Sequence, residues 1–591
     1  MSSLQTSPFE ISQTLTQHAM LVVWGLYAQH IRLVEALEQV QLSQKRRTHT
    51  PQTKVLEFLV AILAGLPHLQ DISRSAHPLD QDAATAEAWA QAAWADYSGV
   101  SRTLQQLSDE EVSALVAAVE RISQPFIDRE VERALATAGY LVYDADLTGR
   151  PVSSTSTSYP DTAFGYMGDT IRLGYQAALV SLHSPTFGRL WLANQLHPGD
   201  TVSSTQAQAL VTAAEQRTGR RPRRRTELVA RRLEVAEAAL GAAGERLEQS
   251  YQKLQVARAK VQDTRHLLSE WRQQVAMLSV AYERQQRRPT THCALSRARR
   301  KVATYEARLP RCQKALGVAE RRIARHTAQY DEAEQRITQL RQHQEQLLAD
   351  NGANPAPVHA VFRLDGGFAS RENIAWLMEM GYDIYSKGKS RALPDTLSAM
   401  VTPETKWTQV GGNARMTAWS HTTVDGHYLY PLNVALAHYQ TGDSLRRSVL
   451  LHFGRQEVTA DLSRWFHTYN GRQTIEAGIK EGKNVFQMHH LKVRSPQALL
   501  LQEHLACFAA NFVRFAACWL AQSQPAQIPT RSVKQMVQVG AHTSAWVQRQ
   551  GDMWLLTFTE QSLYAGCSLR FGDGPLQLPL PLFHDIHFCH F

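Results

Sequence analysis

Tyr469-Asn-Gly-Arg472-Gln-Thr-Ile-Glu476-Ala-Gly-Ile-Lys480-Glu481-Gly-Lys483 is the stretch on which the reading of this chain turns. Four of its residues are spaced Y-x2-R-x3-E-x6-K. Read as one helix, Tyr469, Arg472, Glu476 and Lys483 stand at offsets 0, 3, 7 and 14 and share a face. One carboxylate flanked by an aromatic ring and two cations is odd as core packing and odd as plain surface. It makes sense if the carboxylate meets a metal ion and the cations meet phosphate.

Such a carboxylate needs partners. Two short apolar runs, Tyr140–Asp146 (YLVYDAD) and His359–Asp365 (HAVFRLD), read as strands that each end in an acid. Strand-end carboxylates are held rigidly and can point into a shared crevice. Hard divalent cations such as Mg²⁺ take oxygen ligands of this kind. Two such ions about 3.5–4 Å apart activate a water or a 3′-hydroxyl and stabilise the leaving oxygen in phosphoryl transfer. Asp146, Asp365 and Glu476 are therefore the candidate catalytic and metal-binding set. Asp144, two residues before Asp146, shares its strand face and is the alternative ligand.

The tetrad is similar to the signature of a large group of bacterial insertion-sequence transposases, DDE enzymes with an RNase H-like fold. Asp146-Leu-Thr148 resembles their first motif, a strand ending in Asp-x-Thr. Arg363-Leu-Asp365-Gly-Gly-Phe resembles their second. The resemblance covers about 139–217 and 358–520. It implies a DNA transposase in which Asp146, Asp365 and Glu476 bind two Mg²⁺ (or Mn²⁺) ions. It also implies that Arg472 and Lys483 grip DNA phosphates with Tyr469 close by. Further implications are cleavage at transposon ends, strand transfer into target DNA, double-stranded DNA as partner and a homodimer that pairs two ends. In members that make a DNA hairpin an aromatic stacks on a flipped base; Trp407 or Trp419 is placed for that, or simply packs its strand. The competing readings are a domesticated or inactive nuclease relative with this fold, and a coiled-coil scaffold whose acids are structural.

The fold class expected is an α/β RNase H-like core with a helical N-terminal domain, an inserted long coiled-coil hairpin and a β-rich insertion. Residues 1–138 show three-to-four apolar spacing, with helix starts at Thr50-Pro51 and Ser108, and form a candidate DNA-binding unit. The core is expected in three parts, 139–220, 355–389 and 461–525, the last bearing Glu476. Between the first two lie heptads at 221–354: Leu233, Leu240, Leu247, Leu254, Val261, Leu268, Val275 and Tyr282, then Leu295 to Ile337 after a break at 287–292. That means a coiled coil, either an antiparallel hairpin with arms of roughly 80–90 Å or a continuous rod that dimerises. Pro310 should kink the second arm. Residues 390–460 alternate as the β-rich insertion, and 526–591 read as a small β-rich C-terminal unit. The 219 residues separating Asp146 from Asp365 exceed what the fold requires, because the coiled coil sits between them.

The bulk numbers agree with this and exclude little. At 591 residues the chain needs several structural units. Lys and Arg total 63 against 54 Asp and Glu, which permits nucleic acid as partner without proving it. The dense blocks Arg220–Arg225 and Arg287–Lys301 read either as solvated charge or as phosphate contacts. Six scattered cysteines without a CxxC pair fit a reducing cytosol, and the resemblance implies a bacterial cytoplasmic, nucleoid-associated location. No signal peptide or membrane span is expected. Gly388-Lys389-Ser390 fails as a phosphate-binding loop because Asp383 stands where glycine is required. The tail His584-Asp-Ile-His587-Phe-Cys589-His590 carries ligand-type residues without a second cluster to complete a zinc site.

Overall fold

A computed structural model describes residues 12–45, 48–524, 531–550, 553–562 and 564–572. The first described element is β1 (Ser12–Thr16), a correction to the helix expected there: its backbone pairs antiparallel with Ala545–Arg549, a partner no local pattern announces. Helices α1 (Ala19–His30), α2 (Leu33–Glu38), α3 (Pro51–Leu63), α4 (Asp71–Arg74), α5 (Ala83–Ala88), α6 (Tyr97–Gln105) and α7 (Asp109–Ala138) follow. Thr50 caps α3 ahead of Pro51, and Ser108 with Glu111 closes a capping box on α7, so the expected helix starts are where the chemistry of capping puts them.

The central sheet begins with β2 (Leu141–Pro151), β3 (Ala163–Met167), β4 (Thr170–Ser184) and β5 (Gly188–Pro198), and α8 (Ser203–Thr218) follows. β3 is a strand the sequence did not disclose: Phe164 and Tyr166 point outward, 59% and 72% exposed, so no buried face marks it. The chain returns in β6 (Ala360–Leu364), after the long helices α9 (Thr226–Arg284) and α10 (Ala294–Gly352). Then come α11 (Arg371–Glu379), β7 (Asp383–Lys387), α12 (Leu393–Ala399) and the meander β8 (Thr408–Gly411), β9 (Ala414–Thr422), β10 (Leu432–Thr441) and β11 (Ser444–Phe453). Strand order is β3-β4-β2-β6-β7-β11-β10-β9-β8, with β5 also on β4. β2, β6 and β7 run parallel; the rest pair antiparallel. The segment 390–460 therefore continues the central sheet through β11 against β7, and it carries one helix, α12.

Helices α13 (Leu462–Asn470), α14 (Gln473–Asn484) and α15 (Pro496–Ser523) close the region. α13 seats Trp465 and Phe466 in the apolar cluster over Val410, Met416 and Leu450. α15 is long and apolar enough to cross a membrane, yet 72% of that apolar window is buried, packed on α7, α3 and β5. It is the core helix of this unit. α16 (Val533–Gln538) leads to β12 (Ala545–Gln550), β13 (Met553–Phe558) and β14 (Ser568–Gly572), which with β1 make a four-stranded sheet. The His584–His590 tail lies outside the described residues.

Arg224–Pro355 is a compact unit of its own. α9 and α10 fold back on each other: Arg341 meets Glu237, Ser250 meets His326, and Arg272 meets Glu306. Small side chains at Ala236, Ala243 and Ser250 are buried along α9, with Leu254, Val261 and Leu268 farther out. The hairpin alternative is the one observed. Pro310 lies inside α10 without ending it.

Candidate active site

The parallel pairing of β2 with β6 decides the site. Its register matches Tyr143 with Phe362, Asp144 with Arg363 and Ala145 with Leu364. The next residues along the two chains are Asp146, within β2, and Asp365, directly after β6, and the charge of Asp365 acts on the Asp146 carboxyl. Asp365 is the first residue past β6, but Asp146 lies in the middle of β2 and does not end it. β2 runs on to Pro151 because β4 continues to pair with it.

After Asp365 the chain turns at once. Gly367 N–H donates to Asp365 Oδ1 at 2.9 Å, and a side chain at Gly367 would press on that oxygen and on Ser203. The glycine is what lets the backbone close over the carboxylate.

Glu476 arrives on α14. The stretch 469–483 is not one helix: α13 stops at Asn470 and α14 starts at Gln473, with Gly471 and Arg472 between them. Tyr469 thus belongs to the end of α13, where it is 5% exposed in the apolar cluster with Lys387 Nζ 5.9 Å from its ring centre. Arg472 sits at the junction and turns inward. Its Nη2 is 2.7 Å from Asp146 Oδ2, and its Nη1 donates to Glu476 Oε1 at 2.7 Å. The Asp146 contact lacks hydrogen-bond alignment, so Arg472 Nη2 and Nε are buried without hydrogen-bond partners. Glu476 itself is 59% exposed.

Burial, with the charges of Asp365 and Glu476 added, pushes the Asp146 carboxyl up to about 6, against the pull of Arg472. The three acids thus share one electrostatic neighbourhood, and a guanidinium sits within it. Among the described residues no three His, Cys, Asp or Glu side chains form a ready-made ligand group. Lys483, in the last turn of α14, is half-buried. Burial first, then Arg150, lowers its ammonium pKa, while Asp146 works the other way.

Asp144 is otherwise engaged. Arg363 donates to both its oxygens, Nε at 2.7 Å and Nη2 at 2.6 Å, and Thr474 of α14 adds a hydroxyl at 3.3 Å. Arg363 Nη1 also reaches the Thr468 carbonyl of α13 at 3.3 Å. A side chain at Gly471 would collide with that guanidinium. Arg363 therefore pins the α13–α14 junction to the sheet, and with it the base of Arg472.

A second arginine repeats the device. Arg189 of β5 donates to the Thr474 carbonyl and lies where a Gly478 side chain would be. Glu481 takes two hydrogen bonds from Arg514 of α15, at 2.8 and 3.0 Å. Arg189 did not stand out in the sequence, and Arg363 was quoted there only as part of the second motif, without a role. The available signal was glycine inside a helix, at Gly478 and Gly482, which costs stability unless close packing demands it. Trp407 is half-buried, its ring 4.3 Å from that of His438 and Arg415 over its face; Trp419 lies opposite Val434 on β9.

Residues 324–512 match the family model for the transposase DDE domain. The match takes in Asp365 and the whole 469–483 stretch, and Asp146 lies before it. The resemblance to insertion-sequence DDE transposases has its support in this match. No curated protein matches the chain.

Proposed function

We propose that this chain is a DDE transposase with an RNase H-like core, which cleaves DNA at transposon ends and joins the freed ends to target DNA. The observation that carries the reading is the register that sets Asp146 beside Asp365, with Arg472 tying Asp146 to Glu476. The strand order β5-β4-β2-β6-β7, an antiparallel meander followed by two parallel strands, supports the RNase H-like assignment.

The donor set fits hard divalent ions: three carboxylates gathered about one guanidinium, with the Asp146 carboxyl raised first by its burial and then by the charges of Asp365 and Glu476. Asp146, Asp365 and Glu476 would hold two Mg²⁺ or Mn²⁺ ions. When bound, these supply activation of the attacking hydroxyl and stabilisation of the leaving oxygen. The chain's own residues do the rest. Gly367 N–H orients the Asp365 carboxylate, and Leu147 N–H orients that of Asp146 at 2.8 Å. Arg472 compensates the acids in the free protein and turns to a DNA phosphate when other cations take over that charge. Lys483, with its lowered ammonium pKa, meets the phosphate backbone next to the acids. Tyr469 supports the junction from the core. The protein works in the cytoplasm as a homodimer that pairs two DNA ends.

Asp146→Asn, Asp365→Asn and Glu476→Gln should each lower divalent-dependent cleavage of duplexes carrying the element's ends by more than about 100-fold. Losing even a residue that only orients a metal ligand costs 10–100-fold. Retention of cleavage within tenfold of the parent by any of the three removes that residue from the site.

A further inference from the structure

The basic excess of this protein is carried by the hairpin. Arg224–Pro355 holds 25 Lys and Arg against 15 Asp and Glu, so the remainder of the chain, with 38 against 39, is one charge short of neutral. Within the hairpin the division is sharper. The distal part, Lys253–Arg325, has 18 cations and 5 acids; the proximal parts together have 7 and 10.

Every one of the 18 distal cations is exposed. Among the described residues Arg272, on Glu306 at 2.7 Å, is the one distal Lys or Arg in an ion pair. The proximal part pairs opposite charges, on the surface in Arg341–Glu237 and at the buried base of the hairpin in Arg224–Asp350. The distal part instead stacks like charges one turn apart, at Arg297/Arg300/Lys301, Arg308/Arg311 and Arg321/Arg325. Like charges at that spacing weaken a helix. Solubility alone would be served by a mixed surface, so the pattern acts against the hairpin's own stability and calls for a polyanion.

The cations also have a shape. Lys253 and Lys260 on α9 face Arg308, Arg311 and Arg322 on α10 across an open groove of about 460 Å³ whose lining contains no acid. We propose that the distal half of the α9–α10 hairpin is a sequence-independent binding surface for the phosphate backbone of duplex DNA. It rests on DNA being this chain's substrate, as proposed above, and adds a second contact region separate from the acid site.

Three physical points select duplex backbone over other polyanions. The distal part of α9, Lys253–Arg284, spans roughly 48 Å at 1.5 Å per residue, which matches about 14 base pairs of rod-like charge. Two packed helices, each about 10 Å across, are too wide for a major groove about 12 Å wide, so base edges are not read. Single strands are held by stacking on open aromatic faces; Trp271, Tyr282 and Tyr305 are half-buried in the hairpin.

The test uses the full-length protein and fluorescence anisotropy on short duplexes of unrelated sequence over a range of salt. One variant carries Arg297, Arg299, Arg300 and Lys301→Gln; another carries Lys253, Lys260, Arg308, Arg311 and Arg322→Gln. The parent should bind all duplexes alike. Each variant should lose tenfold or more in affinity, with the slope of log K against log salt falling by about 0.9 per phosphate contact removed. Arg→Lys replacement at the same arginines should restore binding. Glutamine is a good helix former, so the hairpin stays helical, which a circular-dichroism melt verifies. Unchanged duplex affinity and salt slope in both variants would overturn the proposal, as would a loss confined to single-stranded RNA or to anionic vesicles. If the glutamine variants bind normally while the acid variants lose cleavage, this proposal fails and the transposase reading stands. If the glutamine variants lose duplex binding while the acid variants still cleave, this proposal stands and the acid-site assignment fails.

Discussion

Asp144 and Asp146 differ by two positions and have opposite fates. Both project from the same face of β2, yet Asp144 is 1% exposed and held by Arg363 and Thr474, while Asp146 meets Arg472 beside Asp365. In local sequence they are interchangeable; the partner one strand over distinguishes them. Arg363 lies opposite one and Asp365 lies beyond it, next to the other. Removing one partner of a buried pair strands the other charge, at a cost of about 3–5 kcal/mol, whereas replacing both with apolar residues is often close to neutral. Asp144→Asn should therefore destabilise the fold by about 3 kcal/mol in urea unfolding, and Asp144→Leu with Arg363→Met should recover most of it. The double variant should nevertheless lose cleavage, because Arg363 also holds the junction that bears Arg472. Equal stability of the single and double variants would mean that the pair is not a coupled unit.

At the scale of elements, the departure from the expected single helix over 469–483 is the instructive one. The stretch is helical as read but falls into two helices, and the buried residues of α14 are Ile475, Gly478 and Gly482, none of them a member of the tetrad. The spacing could not register that Arg363 passes beneath Gly471 or that Arg189 passes beneath Gly478, because both arginines are more than 100 residues away in sequence. The break turns Arg472 toward the acids and leaves Tyr469 behind in the core. A Gly478→Ala change should push α14 off β5. Overpacking of this kind costs about 1–3 kcal/mol, and intrinsic helix propensity alone would give the opposite sign, a gain of about 1 kcal/mol. The sign of the stability change in thermal unfolding thus decides whether close packing on Arg189 governs the position, and cleavage should fall with it. Likewise, β2 was expected to end at Asp146, as an apolar run followed by acid suggests. Pairing with β4 carries it five residues further, and only the end of β6 exposes the site.

For the whole molecule, the hairpin is an excursion from one point of the other unit. Arg221 and Val358, which flank it, are joined by a backbone hydrogen bond of 3.2 Å, so the chain leaves and returns at adjacent positions. A long insertion closed this way costs little in loop entropy, since doubling a loop adds only about 0.6 kcal/mol. Replacing 224–355 with a short Gly-Ser linker should therefore leave a folded protein that still cleaves in an acid-dependent manner at low salt. Its affinity for unrelated duplexes should drop at least as far as in the glutamine variants. An insoluble or unfolded product would show that the hairpin is needed for folding of the remainder.

Properties local along the chain could be read from sequence alone: the heptads of α9 and α10, the capped starts of α3 and α7, the order of the two acids and the tetrad, and the resemblance these carry. They are legible because periodicity, capping and motif spacing act within a few turns of backbone. The tertiary structure alone decided which carboxylates stand together, which one is spent on an arginine, where the tetrad helix breaks, and that Ser12–Thr16 joins a sheet with Ala545–Gln550. Those outcomes rest on strand register and on close approaches between residues far apart in sequence. They become visible only when the chain has folded, because no local pattern encodes which distant backbone will lie alongside.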